Sequence, residues 1–251
     1  MDFDHALTLI DERSAALRDA VAAAADFGAR VPGCPDWDLR DLVAHLGAVQ
    51  RFWAVVVRAA DPTGPPSRSA LGDREPSGDL LAWSAESTSL LLAALRASSA
   101  GTRAWAWWGA SSAPLTVGAI ARHQVQEAAV HAYDAQEARG QAGVPEPLPV
   151  AVAADGVAEF LQVGVGSLGA WPHQPARVRF DASDGQPHTL DLTPSGGRLL
   201  EQAAAGEPTT VIRGTSSDLV LVLYGRLPLE ALAIDGDREV LTRLRAWSNP
   251  D

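Results

Sequence analysis

The spacing of apolar residues changes character once along the chain, and that change limits the fold more than any other feature. Through residue 140, apolar side chains recur at three- and four-residue steps, the period of a buried helix stripe. Leu7, Ile10, Leu17 and Val21 mark a first helix, with Asp4 as its expected cap and Gly28 as its expected left-handed stop. Asp38 is the expected N-cap of a second helix, with Trp37 and Leu42 placed as a hydrophobic staple. Its stripe runs Leu42, Leu46, Val49, Trp53, Val56. Residues 61–77 read as a loop rich in Pro, Gly and Ser. Asp79 opens a third helix through Leu80, Leu81, Leu91, Leu92 and Leu95. A tryptophan-rich stretch, Trp105-Ala106-Trp107-Trp108-Gly109, leads to Pro114, and a fourth helix runs from about Thr116 to Arg139, stopping at Gly140. Four helices of about 20 residues predict a four-helix bundle over residues 1–145.

After an expected linker at 141–149 the pattern is mixed. Residues 150–163 stay helix-like, but Arg177-Val178-Arg179-Phe180 and Thr189-Leu190-Asp191-Leu192 alternate with period two, as half-buried strands do. Thr209-Thr210-Val211-Ile212 is a further β-branched run, and helical segments are expected at about 216–224 and 237–247. Residues 146–251 therefore predict a small α+β domain, which makes the whole an α+β chain of two domains. A chain of 251 residues, 47% hydrophobic and 20% charged, is long enough to bury such cores without disulfides or a structural metal. The net charge of −11, with no basic face in either half, argues against nucleic acid as a partner. No apolar run approaches the ~20 residues of a bilayer span and none opens the chain as a signal peptide would, so no membrane partner is expected. The single cysteine, Cys34, has no internal partner, which fits a reducing cytoplasm.

The chemistry concentrates on helices two and four. His123, Glu127 and His131 follow one another at four-residue steps and stack on one face, near Val117 and Ile120, so that face should point into the bundle. Buried carboxylates and imidazoles need partners. His45, between Leu42 and Val49 on helix two, is the facing candidate. A His₂Glu set is a known zinc site that leaves one coordination position open. An exposed i,i+4 Glu–His pair or a hydrogen-bonded core histidine would show the same spacing.

Several residues bear on the family. The segment Cys34-Pro35-Asp36-Trp37-Asp38-Leu39-Arg40-Asp41-Leu42-Val43-Ala44-His45-Leu46 resembles the helix-two entry of the mycothiol-dependent maleylpyruvate isomerase family. Glu127-Ala128-Ala129-Val130-His131-Ala132-Tyr133-Asp134 is similar to that family's Glu-x-x-x-His segment with its following Asp. Residues 214–247, from Gly214-Thr215-Ser216 through Tyr224-Gly225-Arg226 to Trp247, resemble its C-terminal domain. One departure is Gln126, where many members carry a His or another polar group before the Glu. The resemblance implies a DinB-like four-helix bundle followed by a small, sterol-carrier-like α+β domain. It implies a zinc site on His45, Glu127 and His131, and mycothiol as the thiol cosubstrate.

The expected function is then thiol addition or transfer to a small electrophile, or its cis–trans isomerisation, by a zinc-assisted thiolate. Asp134 is expected to orient His131, although a surface carboxylate would fit the same position. His123, Trp107 and Trp108 are candidate pocket walls, with plain core as the alternative for the tryptophans. Arg226 and Arg213 are candidates for holding substrate or thiol, with surface ion pairing as the alternative for each. Cys34, in a Cys-Pro turn at a helix start, is expected to be structural, because the nucleophile comes from the cosubstrate. Two other readings use the same residues. One is a thiol-independent, metal-dependent hydrolase; the other is a non-enzymatic module binding metal or a small ligand.

Overall fold

The computed structural model describes residues 1–139, 144–201 and 206–248, and the chain divides into two compact units. The first comprises Met1–Trp107 with Pro114–Glu146; the second comprises Trp108–Ala113 with Pro147–Asp251.

The first unit is built on four long helices, α1 (Phe3–Ala22), α2 (Leu39–Ala59), α4 (Leu80–Arg96) and α5 (Val117–Ala138). A single turn, α3 (Arg68–Leu71), lies within the loop before α4. Helix α1 starts from Asp2, whose side chain accepts the His5 N–H, rather than from Asp4. It ends at Ala22, six residues before Gly28, and Gly28 does not take the left-handed conformation expected of a stop signal. Gly140 and the start of the expected linker lie outside the described residues. Helix α2 has a full capping box: the Asp38 carboxylate accepts the Arg40 and Asp41 N–H groups, and Asp41 accepts the Asp38 N–H. Helices α4 and α5 have single caps without the reciprocal bond: Asp79 accepts the Ala82 N–H and Thr116 the Ala119 N–H.

Between α1 and α2 the chain forms a small antiparallel hairpin, β1 (Arg30–Val31) and β2 (Cys34–Asp38). The sequence reading gave this segment no strand. Leu17, Val21, Val31, Leu39, Leu42 and Leu46 share one core with Ala128, Ala132 and Ala135 of α5. Deeper in the bundle, the buried Gln50 amide donates to Ser14 Oγ at 2.8 Å and accepts from Thr88 Oγ1 at 2.9 Å, which ties α1, α2 and α4 together. Helix α4 lays the Trp83 ring directly against α2 at Gly47, where a Cβ would overlap it. The Arg51 guanidinium lies 5.0 Å from the centroid of that ring and donates to Ser87 Oγ at 2.8 Å.

The second unit opens with α6 (Val150–Glu159), which continues as a π turn (Phe160–Gly164) and a 3₁₀ turn (Val165–Ser167). Five strands follow: β3 (Ala176–Ala182), β4 (His188–Thr193), β5 (Gly196–Leu200), β6 (Thr210–Gly214) and β7 (Ala233–Gly236). Helices α7 (Ser216–Leu223) and α8 (Arg238–Ser248) complete the unit. The sheet order is β5-β4-β3-β6-β7, parallel only between β3 and β6. Val178, Phe180, Leu190, Leu192 and Ile212 are buried from alternate strand positions, as the period-two reading requires. Strands β5 and β7 escape that reading. Helix α2 and the 150–167 helix are each apolar and long enough to cross a membrane, with half of the apolar window buried in the fold. That is also the composition of a core helix.

Candidate metal centre

Helix α5 presents three residues, His123, Glu127 and His131, at successive four-residue steps, and its neighbour α2 brings His45 to the middle one. His45 Nε2 lies 2.9 Å from Glu127 Oε1, and His131 Nε2 lies 3.5 Å from the same oxygen. One ligand atom from each of the three residues falls within 4.8 Å of the others. A tetrahedral zinc with bonds of 2.0–2.1 Å spaces its ligand atoms by about 3.3 Å, so the observed separations are of the right size for a His₂Glu ion site. His131 turns its other nitrogen, Nδ1, toward the fully buried Asp134 Oδ2 at 2.9 Å. That contact fixes the ring and directs Nε2 to Glu127. Side-chain exposure falls from 32% at His45 to 22% at Glu127 and 9% at His131, so the cluster is reached from the His45 side.

The electrostatics follow from this packing. Burial pushes the Glu127 carboxyl up, but hydrogen bonds from His131 and His45 and the charges of His131 and His123 outweigh it, holding the carboxyl well below its ordinary range. Burial alone would lower the His131 pKa. Hydrogen bonds to Asp134 and Glu127 and their charges instead raise it to about 9. In the metal-free protein, His131 therefore carries a proton at neutral pH on a ring that a metal would need deprotonated.

The hairpin supplies a wall. It delivers Trp37 to the residue before the α2 cap, with its ring centroid 4.6 Å from that of His45 and 6.1 Å from that of His131. The sequence reading gave Trp37 only a staple role. Cys34 begins β2 rather than a helix, and its Sγ lies 3.9 Å from Asp134 Oδ2.

Two cavities adjoin the cluster. One, of about 500 Å³, is bordered by Trp37 and His45 together with Asp36, Asp41 and Glu75. The other, of about 470 Å³, is bordered by Phe52, Trp53, Trp107, His123 and Glu127. Trp107 and His123 thus line a cavity, their rings 5.6 Å apart edge to face. Trp108 does not line either one: it is fully buried and falls in the second unit. Arg74, from the loop before α4, borders both cavities, and no sequence signal marks it. The two arginines singled out in the second unit have other engagements. Arg213 lies 3.9 Å from both Asp181 and Asp235, the surface pairing that was its alternative reading, and Arg226 donates to the Tyr224 carbonyl at 2.8 Å.

Comparison with known proteins agrees with this architecture. The profile of the mycothiol maleylpyruvate isomerase N-terminal domain matches residues 7–136, and that of the MDMPI C-terminal domain matches residues 151–243. The crystal structure of the mycothiol-dependent maleylpyruvate isomerase is similar over 94% of this chain and 93% of that one, with a TM-score of 0.60 at 15% identity. A histidine-to-alanine mutant of that enzyme gives the same values. No curated protein matches the chain by sequence. With both halves matched in order along one chain, the protein belongs to the mycothiol maleylpyruvate isomerase family.

Proposed function

We propose that the protein is a zinc enzyme that uses mycothiol to add a thiol to a small electrophile, either releasing the adduct or returning the isomerised product. The observation that carries this reading is the convergence of His45 Nε2, Glu127 Oε1 and His131 Nε2 beside two cavities. These three residues would hold the metal, and Asp134 would keep His131 in the ligating orientation. Bound there, zinc would supply a Lewis-acidic centre at which a thiol ionises at neutral pH.

The chain's own residues do the rest. Glu127 is the one anionic ligand, so the site keeps a net positive charge that favours thiolate over thiol. Trp37 covers the two imidazoles and limits water access from the hairpin side. In either outcome the sulfur forms a bond to an activated double-bond carbon, and the π electrons move onto the adjoining carbonyl as an enolate. For isomerisation, rotation about the new single bond precedes collapse of the enolate, which breaks the C–S bond and returns the thiolate. For transfer, the enolate carbon takes up a proton instead, and His123, on the cavity wall, is the side chain placed to give it. The partners are therefore a low-molecular-weight thiol and a small electrophile.

The test is metal analysis of the purified protein together with a panel of electrophiles assayed with and without mycothiol. About one zinc per chain, and consumption that needs both zinc and mycothiol, are the expected results. Turnover that needs zinc but no thiol would replace this reading with the hydrolase. Binding without turnover would replace it with the non-enzymatic module.

A further inference from the structure

The two cavities beside the cluster differ in chemistry. Asp36, Asp41 and Glu75 outnumber Arg74 on the border of the first, so on balance it repels anions. The second has Val49, Phe52, Trp53 and Trp107 on its walls, and its one carboxylate, Glu127, is already engaged by two histidines. Arg74 borders this apolar chamber without a carboxylate partner. Its guanidinium lies over the Phe52 ring, 5.9 Å from the centroid, and no ion pair joins it to any described residue. Trp107 is 47% exposed, the largest exposure among the tryptophans, although its ring faces an apolar chamber. A half-exposed indole beside an unmatched guanidinium is what a ligand with a flat apolar body and one anionic end would cover.

We propose that this aromatic chamber binds the electrophile, that the electrophile is a planar and largely apolar carboxylate, and that Arg74 is the residue that selects it by holding the carboxylate. The planar body lies against Phe52, Trp53 and Trp107, and the chamber ends at Glu127, so the bound molecule reaches the metal cluster from one side. Arginine suits the task because its planar fork pairs with a carboxylate bidentately. The stacking of Arg74 on Phe52 holds that fork at the chamber edge. A small dianion without an apolar body would leave the tryptophans uncovered. The inference rests on the proposed thiol chemistry for what happens to this molecule, but not for its binding.

Binding can be read without turnover. The purified full chain is titrated with 2-naphthoate, with the neutral 2-naphthamide and with fumarate, following tryptophan fluorescence and heat. Expected is binding of 2-naphthoate at least about ten-fold tighter than of either other probe. Arg74→Gln should remove about ten-fold of the naphthoate affinity and leave the naphthamide value unchanged, and Arg74→Lys should fall between. The same preference must persist after the metal is removed with a chelator. If it vanishes with the metal while Arg74→Gln has no effect, the carboxylate sits on the metal and the assignment to Arg74 is wrong. Equal affinity for acid and amide, or tighter binding of fumarate, also overturns the proposal. Failure of the thiol reading looks different: no electrophile is consumed with mycothiol, yet the naphthoate preference and its dependence on Arg74 remain.

Discussion

On the sheet of the second unit, Arg177 pairs with Asp191 across β3 and β4 at 3.0 Å, and Arg179 pairs with Asp181 at 2.6 Å. These side chains are about a quarter to a half exposed. In the bundle, Glu127, His131 and Asp134 are packed together with the last of them wholly out of solvent. Pairs of the first kind sit in high dielectric and contribute little to stability. Groups of the second kind lose their hydration, and apolar residues of similar volume would pack as well or better. The proposed metal role gives the bundle's ionisable cluster an explanation in chemistry, and the sheet's pairs have theirs in the register of a half-exposed surface.

The contrast can be broken most directly at Glu127. Glu127→Gln keeps the helix but removes the proposed anionic ligand, so metal content and thiol-dependent turnover should fall by more than about 100-fold. The remaining activity should peak at higher pH, because the thiol would ionise less readily. Elemental analysis and a pH–rate profile check both, and full activity would return the cluster to a structural role. Asp134→Asn keeps the size of the buried group and alters only its charge and acceptor pattern. It should weaken metal affinity by about 10- to 100-fold, measured by competition with a chromogenic chelator.

The third expectation concerns protons. The folded pKa of His131, about 9, stands above its ordinary value of 6.5, so its contribution to metal-free stability is fully present below about 6.5. That contribution is lost as pH rises through about 9. The depressed Glu127 works in the opposite direction: its contribution is present above about 4.5 and lost as pH falls through its lowered pKa. Thermal melts of metal-free protein should thus weaken from pH 6.5 to 9, whereas metal affinity should rise over that range. Calorimetry in buffers of different ionisation heat should find about one proton released per metal bound at pH 7. The smallest effect belongs to the sheet: Arg177→Ala should shift stability by no more than about 1 kcal/mol in denaturant melts. A larger loss would mean that the sheet's pairs resemble the bundle's after all.

How far the sequence carried this picture depended on whether a feature repeats. Helices α2, α4 and α5 announce themselves by an Asp or Thr cap followed by many turns of the same stripe. The four-residue spacing of His123, Glu127 and His131 put them on one face for the same reason. Strands β1 and β7 are two and four residues long, and β7 carries one apolar face position among exposed ones, too short a run for periodicity to register. Gly196 and Gly197 hide β5 in the same way. Gly28 looks like a terminator and so predicts too late an end for the first helix, whereas residues 23–29 turn the chain into the hairpin. Arg74 was invisible because its role depends on where a loop returns, a tertiary fact with no local signature. Trp107 and Trp108 share one expectation, pocket wall or plain core, because adjacent tryptophans look alike in sequence, and only the backbone decides which of two neighbours is buried.

Gly47 has a consequence for His45, two residues before it on α2. With no side chain at Gly47, the Trp83 ring settles directly against the α2 backbone, and Arg51 on the next turn clamps that ring in place. The helix is thereby keyed like a shaft: it cannot spin about its own axis without driving its backbone into an indole. Since successive α-helical residues are separated by about 100°, the bearing of His45 relative to α5 is set by this key on a different side of the helix. A methyl group at Gly47 would turn the shaft, and the imidazole would swing away from Glu127 while every residue of the proposed site remained in the sequence.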